Sequence, residues 1–248
     1  GFDVVVFDKR DEIGGNLHVA KKPPFKGKFE WAIDYYKSMA KKLNITMKLG
    51  KEVTAQEVLA LKPYSILVAT GSNVISIPLE GLDQVQTVQA HDVLANDMQF
   101  ANKKVVVIGG GITGLETALY INRQGTNQVS VVDMLPEWPV DMLDMRYQNE
   151  ALLEVRHCND QGVALFYNNK VVKFADGKLF IESTKDGEVK ELPADVIVLS
   201  VGVKPNDALW QELLASGHPS VWKAGDAIAT GKINKAVLHG SKFGYSLN

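Results

Sequence analysis

The residues that usually announce redox, metal or disulfide chemistry are scarce in this chain. Its 248 residues include one cysteine, Cys158. An internal disulfide, a CxxC redox pair and a cysteine-held iron–sulfur cluster are therefore excluded from it, and a lone cysteine reads as a small buried hydrophobe. Five histidines, His18, His91, His157, His218 and His239, are scattered without metal-site spacing. Charge of one sign is also lacking. The 27 Lys and Arg stand against 29 Asp and Glu, a formal −2, so neither nucleic acid nor an anionic membrane is an expected partner. The longest apolar runs, such as VVVIGGGI at 105–112, fall far short of the ~20 residues that span a bilayer. No signal-peptide pattern opens the chain. These absences leave a reduced, cytoplasmic enzyme or binding domain as the expected class.

Hydrophobic content of 46% and charged content of 23% are ordinary for a globular protein, and the length suits one large or two small domains. Apolar periodicity predicts a helix over 29–43 and strands near Thr46–Leu49 and Tyr64–Ala69. Thr54 and Glu57 have the spacing of a capping box for a helix to Ala60. A strand at 103–111 is followed by a helix over about 113–124, a strand at 128–132 and a helix over 145–160. Residues 163–192 carry Asn-Asn and two Asp-Gly steps between strand-like pieces and read as an antiparallel meander. Short strands at 194–202 and 220–227 and a last helix complete the α/β pattern.

The strongest motif is Gly109-x-Gly111-x-x-Gly114 between a β-branched strand and a helix. The first glycine permits a tight turn, the second lets backbone N–H groups approach a pyrophosphate, and the third lets helix and strand close up. Gly109, Gly111, Ile112, Thr113 and Gly114 are thus candidate dinucleotide contacts at a helix N-terminus. Asp133 closes the next strand, QVSVVD, 24 residues after Gly109, where a carboxylate accepts from the adenosine ribose. No Arg or Lys follows in DMLPEWPVD to neutralise a 2′-phosphate, which favours NADH over NADPH.

Three further strand ends form a second set: LVATGS with Ala69, Thr70 and Gly71, LSVGVKPN with Gly202, and KAGDA with Gly225 and Asp226. In that order they resemble the two-dinucleotide-domain flavoproteins with the fold of glutathione reductase. The opening stretch FDKRDEIGGNLHVAKKPPFKGKF narrows this to the C-terminal half of the Old Yellow Enzyme-like NADH:flavin oxidoreductases of the 2-enoate and 2,4-dienoyl-CoA reductase type. The resemblance implies two Rossmann-like three-layer domains, one inserted in the other: an FAD domain of residues 1–97 and 201–248, and an NAD(P) domain of 98–200. It implies Asp8 on the FAD adenosine ribose, Gly14, Gly15 and Asn16 along the pyrophosphate and ribityl chain, and Asp226 at the ribitol. Gly109, Gly111, Thr113, Gly114 and Asp133 fall around NAD(H). No residue is assigned as catalytic, because hydride transfer between two rings needs positioning rather than an acid or base. His18 and the lysines 21, 22, 26 and 28 read as surface or second-layer groups of a solvated loop.

Asp8 ends the run VVVFD as Asp133 ends VSVVD, yet no strand and glycine turn stand before it. By the 24-residue spacing of the other unit, the matching glycine belongs 24 residues before Asp8, ahead of residue 1. The expectation is an internal piece of a longer protein, lacking its first FAD strand and an N-terminal barrel domain with FMN and an iron–sulfur cluster. Its partner would be that barrel or, at the open N-terminal segment, a second copy of the chain. Two functions stay open: a module passing hydride from NADH to FAD and on to an enoate-reducing barrel, or a nucleotide-binding module without turnover.

Overall fold

The computed structural model describes residues 1–136 and 145–247. In chain order the first elements are β1 (Val5–Phe7), α1 (Leu17–Ala20), α2 (Phe29–Lys42), β2 (Thr46–Lys48), α3 (Ala55–Ala60), β3 (Ile66–Val68) and β4 (Ser72–Val74). There follow β5 (Gln86–Gln89), α4 (Ala90–Ala95), β6 (Lys104–Ile108), α5 (Ile112–Asn122), β7 (Gln128–Val132) and α6 (Met145–Asp160). Then come β8 (Ala164–Phe166), β9 (Asn169–Ala175), β10 (Lys178–Ser183), β11 (Val189–Pro193) and β12 (Val196–Leu199). The chain ends with β13 (Val203–Pro205), α7 (Ala208–Ala215), β14 (Val221–Lys223) and α8 (Ile233–Ser246).

Two compact units emerge. The larger comprises residues 14–34 and 76–201. At its centre is a five-stranded sheet of order β5-β12-β6-β7-β8, with every pairing parallel. The apolar residues of β6 and β12 are buried throughout, as befits parallel strands with neighbours on both edges and both faces covered. Val105, Val107, Leu115, Leu119 and Val131 share one cluster with Val155 and Cys158 of α6. On the opposite face Val106, Ile108 and Ile197 pack with Phe174, Leu179 and Ile181 of the three-stranded antiparallel sheet β11-β10-β9.

The smaller unit comprises residues 1–13, 35–75 and 202–248. It contains three two-stranded pairs: β1 with β2, parallel, β3 with β14, parallel, and β4 with β13, antiparallel. Ile66 and Val68 of β3 pack with Leu213 of α7 and, around them, Val58, Leu59 and Trp210. The capping box at α3 forms as the spacing predicts: Thr54 Oγ1 accepts from the Glu57 N–H, and Glu57 accepts from the Thr54 N–H.

Three expectations change. The meander is shorter than predicted, because Ala164–Phe166 adds to β7 as a parallel edge strand and only β9–β11 are antiparallel. The crossing into the larger unit falls at residue 76 rather than 98, because β5 bonds along β12. Residues 14–34 also cluster with the larger unit.

The lysine loop is the reason for that last change. Lys26 is ion-paired with Glu116 of α5 and, at 2.7 Å, with Glu150 of α6, its side chain only 19% exposed. Lys22 bonds Asp97, and the Phe25 ring contacts both His157 and the Arg123 guanidinium. The loop is therefore fastened to α5 and α6 rather than solvated.

Candidate nucleotide-binding site

The larger unit gathers the fingerprint at the C-terminal end of its central strand. Gly109 has φ +111°, and a Cβ there would stand 2.2 Å from the Ser200 carbonyl oxygen, so both backbone and space require glycine. A Cβ on Gly114 would lie 1.9 Å from the Gly109 carbonyl oxygen, which fixes the close approach of α5 to the turn. Gly111 is different: a Cβ there meets nothing within 4 Å. It is also the N-cap of α5, and no side chain caps that terminus. The N–H groups of Ile112, Thr113 and Gly114 thus head a helix whose N-terminal partial charge faces open space. A phosphate fits such a terminus.

Asp133 follows β7 directly. Its Oδ2 accepts from the Gly110 N–H at 2.5 Å and its Oδ1 from the Leu135 N–H at 2.8 Å. Each carboxylate oxygen retains a lone pair for a ribose hydroxyl. The rest of the stretch after it, residues 137–141, lies outside the described residues. Gly14, Gly15 and Asn16 belong to the same unit but lie at the start of α1, where a Cβ on Gly14 would meet His18 at 2.7 Å.

In the smaller unit the other predicted residues fall into two places. At the end of β1 the Asp8 carboxylate accepts from the Arg10 N–H. At the β3–β4 and β13 turns, Thr70 donates to the Asn206 carbonyl and the Gly71 carbonyl accepts from the Asn206 N–H. A Cβ on Gly202 would touch Ile75 at 3.9 Å. Asp226 accepts from Ser72 and from the Gly231 N–H, and the Gly225 N–H donates to His239. Ala69 precedes Thr70 at this strand end. Ser72, the first residue of β4, carries no signal in the sequence for this contact, and only the fold brings it to Asp226.

Burial governs the remaining ionisable groups. It raises Glu116 and Glu154 above the usual carboxylate range, against the pull of Lys26. Cys158 is fully buried, bonded to the Leu115 carbonyl, and burial pushes its thiol up to about 12. It is inert, as a lone buried cysteine should be. Among the described residues no cluster of His, Cys, Asp and Glu could hold a metal ion, and no helix is long and apolar enough to cross a membrane.

A parallel sheet with a glycine turn, a bare helix N-terminus and an acid on the next strand defines a dinucleotide-binding oxidoreductase fold. The chain belongs to the pyridine nucleotide-disulphide oxidoreductase family, whose profile matches residues 32–238. It is 34% identical over 206 residues to the bilirubin reductase of Mediterraneibacter gnavus (strain CC55_001C), covering 83% of this chain and 31% of that protein. It is 29% identical over 255 residues to the NADH oxidase of Thermoanaerobacter brockii, covering 100% of this chain and 38% of the relative. A solved 2-naphthoyl-CoA reductase superposes with a TM-score of 0.87 at 27% identity, over 98% of this chain and 36% of that one. These relatives bear out the resemblance read from the opening stretch. The chain spans roughly a third of their length.

Proposed function

We propose that the chain is the pyridine-nucleotide:flavin module of a larger reductase, taking hydride from NADH and passing electrons onward. The observation that carries this reading is the Gly109–Gly114 turn, with its uncapped helix N-terminus and an Asp133 held by two backbone N–H groups. The N–H groups of 112–114 would hold the NADH pyrophosphate, and Asp133 the adenosine ribose. Asp133 is also the ground for preferring NADH, since a carboxylate repels a 2′-phosphate. FAD is the proposed flavin, with Asp8 for its ribose and Asp226 for its ribitol, both in the smaller unit. Bound, it supplies a hydride acceptor. Asp226, held by Ser72 and Gly231, presents its carboxylate in one orientation. Thr70, tied to Asn206, keeps the β3 exit in place.

The onward acceptor, a barrel domain with FMN and an iron–sulfur cluster reducing an enoate-type substrate, is proposed because the relatives are two to three times as long as this chain. The second reading, a nucleotide-binding module without turnover, is separated by one experiment. Chain, FAD and NADH are mixed with a two-electron dye, and dye reduction is followed against a blank of free FAD. Reduction well above the blank is expected. NADH binding by titration with no reduction above the blank would leave the static module.

A further inference from the structure

The middle residue of the glycine turn, Gly110, carries no assigned role, and neither does Tyr167 at the end of β8. The structure puts them against the same acid. A Cβ on Gly110 would lie 3.0 Å from Tyr167 Cε1, 3.1 Å from Asp133 Cβ and 3.2 Å from Asp133 Oδ2. Both side chains therefore pack on the bare face of Gly110. The loops that carry them are laced together. Asp133 N–H donates to the Phe166 carbonyl, Asn169 N–H to the Asp133 carbonyl, and Asn168 N–H to the Leu135 carbonyl. The Asn169 side chain donates to the Tyr167 carbonyl at 2.7 Å, and the Tyr167 hydroxyl is shielded from solvent.

A carboxylate discriminates against a 2′-phosphate only if it cannot swing away from it. Here each oxygen is engaged by a backbone N–H, the backbone on either side is pinned, and the Tyr167 ring occupies the Gly110 side. We propose that Gly110 and Tyr167 are positioning residues for nucleotide choice, holding Asp133 in the orientation that admits a free ribose 2′-hydroxyl and refuses a 2′-phosphate. This rests on the proposed NADH site.

The test is titration calorimetry of NADH and NADPH on the chain and three variants, read as the ratio of the two dissociation constants. Gly110→Ala sets a methyl against both side chains, and the preference for NADH should fall about tenfold, the worth of one charge-assisted hydrogen bond. Tyr167→Ala frees the acid to rotate, and the preference should fall about fivefold, the worth of one ordinary uncharged hydrogen bond. Tyr167→Phe, which keeps the ring, should restore it. A purely structural defect would weaken both nucleotides alike and leave the ratio, and that outcome overturns the inference. Should Tyr167→Ala fail to fold, Gly110→Ala decides alone. A wild-type chain that binds NADPH as tightly as NADH removes the reading of Asp133 and this inference with it. A wild-type preference for NADH that the alanines leave within twofold removes the inference alone.

Discussion

The runs VVVFD at residues 4–8 and VSVVD at 129–133 differ at two of five positions, yet they end in different surroundings. In the larger unit Val131 and Val132 are 1% exposed, on a strand bonded on both edges. In the smaller unit Val5 is 41% exposed and Val4, just before it, 45%, at the start of a strand bonded only to β2 among the described residues. An apolar run ending in an acid therefore specifies the strand and its polar tip, while burial comes from the neighbours. Phe2 and Tyr64 make the same point: they stack on each other at 5.6 Å yet remain 52% and 73% exposed.

Hydrogen exchange gives the largest expected contrast. Amides of β6 should open only with the whole unit, while those of β1 should exchange on the order of a thousand times faster or more. Equal protection in the two strands would break the comparison. Next is the ionic fastening of residues 14–34. Lys26→Met leaves Glu116, Glu150 and Glu154 facing one another beside His157, and breaking such a buried pair costs about 3–5 kcal/mol. Glu116 and Glu154 already titrate above the usual 4.5 because of burial, and losing Lys26 raises them further. The folded state of an acid with a raised pKa is favoured at low pH and loses that advantage as pH rises through the folded value. Urea melts should therefore show a larger loss at pH 7.5 than at pH 5, and a pH-independent loss would contradict the assignment. In the smaller unit the more exposed Lys223–Asp207 pair should give a smaller loss.

Asp133→Ala should weaken NADH by about ten- to a hundredfold, from ~1.5–3 kcal/mol per charged hydrogen bond. Flavin titration should be unmoved. Asp133→Ser with Met134→Arg should shift preference toward NADPH. The smallest effect belongs to Thr54→Ala, about 1 kcal/mol from the lost cap of α3. Thermal melting followed in the smaller unit should shift while NADH affinity stays constant.

What could be read in advance follows the same division. The Thr54–Glu57 box, the 128–132 strand and the 145–160 helix rest on signals within a few residues of each other, and all three appear with those bounds. The glycine turn and Asp133 are legible because the motif fixes their spacing. Long-range pairings were not. Ala-Leu-Phe at 164–166 is too short to show a period, and only the open edge of β7 makes it parallel. QTVQ at 86–89 has no counterpart among the predicted elements, and β12 supplies its partner. Lys26 sits in a run of lysines and prolines, and its partner Glu150 is 124 residues away. Gly110 reads as the variable position of its motif, and its constraint comes from Tyr167, in the turn after β8.

Cys158 gives the larger unit a built-in chemical clock. With its pKa at about 12, only on the order of one thiol in ten thousand is ionised at pH 8, and thiol reagents attack the ionised form. It is fully buried against α5 in the core of that unit, so the folded chain should resist labelling until that core opens. The labelling rate then counts openings of one unit without any engineered probe, and the smaller unit, with no cysteine of its own, stays silent.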